Sequence, residues 1–155
     1  KATIVDLANK NVLMEKAGDK FHILPGLSNP ASDETVFAST EWMAKNEKQV
    51  DTIVTEFLRL WREMAATPTV IETERAKRKL MADQPKQILD GITNFYTVGM
   101  KEGVFAPGGG NADVVRSDLE FYTEAGQLQG PASGLKVEDF WNFGPLEKAR
   151  RALGG

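Results

Sequence analysis

Apolar residues along this chain recur mostly at helical spacing and seldom in the alternation of a half-buried strand. The clearest run spans about Thr40 to Ala66. There Met43, Val50, Ile53, Val54, Phe57, Trp61 and Met64 fall on one stripe of a helix. Ser39 or Thr40 offers a side-chain oxygen to the free N–H groups of the first turn, Glu41 suits the positive end of the helix dipole, and Pro68 ends the pattern. Upstream, the segment Ile4 to Ala17 predicts a short helix stopped at Gly18. Downstream, Thr69-Val70-Ile71-Glu72 has capping-box spacing and predicts a helix to about Met81. Pro85 to Lys101 predicts another, with Ile88, Leu89, Ile92, Phe95, Tyr96 and Met100 turned inward. Asn111 caps a further helix whose stripe is Val115, Leu119 and Tyr122, with Gly126 free to take the left-handed stop. Val137 to Trp141 reads as a single turn, and Pro145 to Leu153 as a last short helix.

Against these stand two strand-like runs, Phe21-His22-Ile23-Leu24, closed by Pro25-Gly26, and Thr35-Val36-Phe37-Ala38, with loop over Ser28 to Asp33 between them. Two isolated strands are marginal in water, because a sheet usually needs three or more. The expected class is α/β and mostly helical, with strands that want neighbours this chain does not supply.

Composition narrows the function more than the fold. The chain has 155 residues, 41% of them hydrophobic, which is enough for a core of ordinary single-domain size. A net charge of −3 and no concentrated basic face argue against a nucleic-acid partner. With no cysteine, disulfides, thiolate metal sites and cysteine nucleophiles are excluded. No apolar run approaches the roughly 20 residues that span a bilayer. The start, Lys1-Ala2-Thr3-Ile4, has no zones of a signal peptide and reads as mature sequence or as a cut inside a longer protein.

Candidate chemistry is sparse. His22 is the single histidine and has no partner for a metal set, and no serine lies in a G-x-S-x-G elbow. Gly108-Gly109-Gly110 precedes a helix start but leads into Asn111-Ala112-Asp113, where a phosphate loop needs Lys-Ser/Thr, so it reads as a turn. The basic run Arg75, Lys77, Arg78 and Lys79 follows Glu72 and Glu74 and reads as a solvated face with intrahelical ion pairs. The carboxylate pairs Glu120 with Glu124 and Glu138 with Asp139 sit in no visible apolar pocket that would tune them as acid and base. No cofactor is called for, and the chain is not read as an enzyme. Trp42 stands out among the tryptophans because it lies one turn from the polar loop.

The stretch Leu27-Ser28-Asn29-Pro30, continued by Val36-Phe37-Ala38-Ser39-Thr40-Glu41-Trp42-Met43-Ala44-Lys45-Asn46, resembles the strand-into-helix segment of the solute-binding proteins of ABC importers that take nitrate, aliphatic sulfonates, taurine and thiamine-pyrimidine precursors. The tail is similar to the same family: Phe121-Tyr122-Thr123-Glu124-Ala125-Gly126-Gln127-Leu128, then Val137-Glu138-Asp139-Phe140, then Leu146 to Gly154. The likeness spans nearly the whole chain and rests on pattern and order. It implies part of a two-lobe, type II periplasmic-binding-protein fold. Residues 1–26 would end the second lobe, 27–36 would form the crossover and hinge, and 37–155 would return to the first lobe. A complete member is about twice this length, so the chain is expected to be a fragment.

The implied function is capture of a small solute between two lobes and its delivery to a membrane permease. The location would be periplasmic, or extracellular and membrane-anchored. Ser28, Asn29 and Ser32 would hydrogen-bond the ligand near the hinge, with Trp42 as a wall. The fragment would also self-associate through its uncovered strand edge. The main rival reading is a self-contained helical module that binds another protein, and a second is an enzyme of unrecognised class.

Overall fold

In a computed structural model of the chain, the structure describes residue 5, residues 7–24 and residues 35–155. Seven α-helices occur among the described residues: α1 Leu7–Ala17, α2 Thr40–Lys45, α3 Glu47–Ala66, α4 Val70–Lys77, α5 Lys86–Lys101, α6 Ala112–Glu124 and α7 Gly144–Ala152. Short 3-10 turns at Gly18–Lys20, Ala132–Gly134 and Val137–Asp139 complete the regular structure.

The described residues form no strand and no sheet, so the expected α/β, type II binding-protein fold is corrected to an all-helical one. Both strand-like runs are described, and neither pairs. Phe21, Ile23 and Leu24 stand exposed, and Phe37 is 92% exposed. Each run is only four residues long, and an unpaired run of that length gains no ladder hydrogen bonds to offset its ordering entropy.

The helices themselves follow local chemistry, with three departures. The long helix expected over Thr40 to Ala66 is broken at Asn46, which leaves the helical region at φ −129°, ψ 33°. Its side-chain Nδ2 donates to the Trp42 carbonyl at 2.8 Å, replacing the partner that a continuous helix would supply. The capping box at Thr69 does not form: Thr69 is itself helical in backbone and makes no side-chain cap. Helix α4 ends at Lys77 instead of near Met81, because Lys79 and Met81 adopt left-handed backbone (φ 53° and 54°) that a helix cannot contain. Elsewhere the caps are as the sequence indicates. The Ser39 side chain accepts from the Trp42 N–H, the Asn111 side chain accepts from the Val114 N–H, and Gly126 turns left-handed at φ 73°.

By its contacts the chain divides into two compact units, and the boundary falls inside α3, between Arg62 and Glu63. Unit 1 comprises Lys1–Ser28 and Glu63–Ala106. Here α5 packs against α1 and α4. Gly99 of α5 is buried, and a Cβ there would stand 2.4 Å from the Phe105 ring. The missing methyl lets that ring settle on the helix, where it stacks on Tyr96 (centroids 5.4 Å apart) and meets Phe95 edge-on at 5.7 Å. Unit 2 comprises Asn29–Arg62 and Pro107–Gly155. Its apolar centre is Val115 and Leu119 of α6 with Val137 from the facing 3-10 turn, flanked by Leu128, Leu135, Trp141 and Phe143.

Candidate functional site

Two sides of α3 within unit 2 differ in what they meet. Glu47, Asp51, Leu58 and Arg62 recur at intervals of about one or two turns and lie on one side of the helix. That side meets α7. Lys148 pairs with Glu47 and also reaches Asp51 at 3.1 Å, while Arg62 donates to the carbonyls of Leu153, at 2.9 Å, and Gly155. Leu58, on the same side, is 2% exposed. The Glu47 carboxylate, then that of Asp51, holds the Lys148 ammonium above its ordinary pKa, because each hydrogen bond favours the charged form. Two carboxylates one turn apart repel each other, and the lysine between them removes that penalty.

The apolar stripe of α3 points elsewhere. Val50, Ile53, Val54, Phe57 and Trp61 lie roughly a quarter-turn round the helix from the α7 side at 100° per residue. Ile53 is 43% and Phe57 45% exposed, while Val50, Val54 and Trp61 are half-buried. Phe57 and Trp61 touch as a tilted ring pair at 6.2 Å. The stripe is thus partly covered: its last residue, Met64, is 1% exposed, and Leu58, outside the stripe, is buried as well.

A cleft of about 320 Å³ opens between α2, the first turns of α3 and the start of α7. Its walls are Met43, Ala44, Val50 and Pro145, with Thr40, Asn142, Glu47, Asp51 and Lys148 supplying polar groups. Glu47, Asp51 and Lys148 together give it a net charge of −1. The Asp51 Oδ1 atom is buried and accepts no hydrogen bond from the described residues. A second, shallower groove along α3 shares Glu47 and Asp51. In the groove the Thr52 and Thr55 hydroxyls donate to the Lys48 and Asp51 carbonyls, and among the described residues no group of histidine and carboxylate side chains converges as metal ligands.

Of the residues expected to meet a ligand, Ser28, Asn29 and Ser32 lie outside the described residues. Trp42 lies in the first turn of α2 and is 44% exposed, and it does not line the cleft, although its neighbours Thr40 and Met43 do. Within the basic run Glu74 pairs with Arg78 at 2.9 Å and with Lys77 at 3.1 Å, but Arg78 and Lys79 lie beyond the end of α4, and the Arg75 Nε atom is buried with no hydrogen-bond partner among the described residues. The Gly108–Gly110 turn is fastened by Arg150, whose guanidinium donates to the Gly108 and Gly110 carbonyls at 2.9 and 2.8 Å. Sequence reasoning missed Lys148, Glu47 and Asp51; the available signal was the unrelieved acid pair at one-turn spacing. Among the described residues no helix is long and apolar enough to cross a membrane.

Compared with protein-family models, with curated proteins and with solved structures, the chain matches none.

Proposed function

We propose that this chain is a helical protein-interaction module that works by binding, using the apolar stripe of α3 as its docking face. One observation carries this reading: Ile53 and Phe57 lie half-exposed in the middle of a continuous apolar stripe, while the polar side of the same helix is the one tied to α7. Leaving two large side chains in water forgoes burial worth about 1.5–3 kcal/mol apiece when complete, which a partner surface would recover. Site-specific photo-crosslinking tests it, with the reactive group at Ile53 or Phe57 and a control position at the exposed Lys86 of α5. A discrete crosslinked protein from the stripe alone, lost when Phe57→Asp is added to the Ile53 probe, is the expected result. Equal yields from stripe and control overturn the reading.

A second reading keeps the solute-capture role, in which the chain contributes to the binding component of an ABC importer and meets its permease outside the cytoplasm. The exposed Trp42 ring, at a helix start next to a cleft-lining turn, favours it together with the sequence likeness over residues 27–46 and 121–154. The cleft's negative charge does not suit nitrate or a sulfonate, so ligand would have to meet Trp42 and the loop before it. Thermal-shift screening with nitrate, taurine, alkanesulfonates, pyrimidines and aromatic acids separates the two readings. A ligand that raises Tm in proportion to its concentration, with the effect weakened by Trp42→Phe, supports capture. A flat screen removes it.

A further inference from the structure

We draw no further inference here: the strongest candidate, the half-exposed Ile53–Phe57 stripe on α3, belongs to the site already described and nothing in the structure shows what covers it.

Discussion

Unit 2 and unit 1 are held together in different ways. In unit 2, groups far apart in sequence meet: Val137 seals against Val115 and Leu119, and Lys148 and Arg62 tie α7 and the chain end to α3. Ala149 of α7, next in sequence to Lys148, is fully buried. In unit 1, the packing is local: Phe95 and Tyr96 of α5 cluster near Gly99 with Phe105, which lies just past the end of that helix. Helices can thus be fastened by a sealed centre with distant polar anchors, or by one glycine-sized notch filled with a ring. The first kind fails when volume is removed, and the second when volume is added.

The largest expected effect follows from the sealed centre. Leu119→Ala removes buried volume from a cluster in which Val137 is 1% exposed, so it should destabilise unit 2 by about 2–4 kcal/mol. Urea unfolding gives the magnitude, and amide exchange locates it: protection should fall in α6 and α7. A loss below 1 kcal/mol would mean that the centre is looser than unit 1's notch, and the contrast would fail.

Gly99→Ala attacks the notch from the other direction. The new Cβ would lie 2.4 Å from a Phe105 ring carbon, so the ring must leave its place on Tyr96. Overpacking of this kind costs about 1–3 kcal/mol, offset by about 1 kcal/mol of helix propensity gained by replacing glycine. The sharper measurement is a double-mutant cycle. In a Phe105→Ala background the clash is gone, and Gly99→Ala should change sign and stabilise by about 1 kcal/mol. The same sign in both backgrounds would show that the ring does not depend on the notch.

Arg62→Met isolates the polar anchor of unit 2, since methionine keeps much of the apolar stem but donates to neither terminal carbonyl. Loss of the hydrogen bonds to Leu153 and Gly155 should cost about 1 kcal/mol and speed amide exchange in the last turn of α7. Unchanged exchange there would show that these hydrogen bonds do not hold the end of the helix.

These contrasts also mark what the sequence could convey. Caps at Ser39 and Asn111 and the stop at Gly126 were legible because each depends on a few neighbouring residues. The break at Asn46 was not, because a side-chain bond to Trp42 competes locally with a strong apolar pattern. The α3 stripe was legible as a pattern, but its cover was not: periodicity says which residues share a side, and of these Met64 is buried while Ile53 and Phe57 are exposed. The strands failed for a related reason, since Val36 and Phe37 have strand character without a partner strand among the described residues. Of the site residues singled out from sequence only Trp42 is described, and it does not line the cleft; the one-turn spacing of Glu47 and Asp51 was legible, but its closure by Lys148 needs α7 beside α3, which no local spacing encodes.

The smallest effects separate the units by pH. In unit 1, hydrogen bonds from Arg78 and then Lys77 hold the Glu74 carboxyl below its ordinary value of 4.5. A lowered acid pKa contributes stability that is present above the ordinary value and lost as pH falls through the depressed one. In unit 2, Glu47 and then Asp51 raise Lys148 above 10.5, so its contribution is complete below that value and lost as pH rises through the raised one. Melting temperatures of wild type, Glu74→Gln and Lys148→Gln should therefore diverge slightly near neutrality. The Glu74→Gln curve should rejoin wild type only on the acid limb, and the Lys148→Gln curve only on the alkaline limb. Both pairs are solvent-exposed, so about 1 M salt should shrink both gaps. A Lys148→Gln gap that survives both salt and high pH would mean that the lysine stem packs α7 onto α3, and that apolar contact contributes more there than charge.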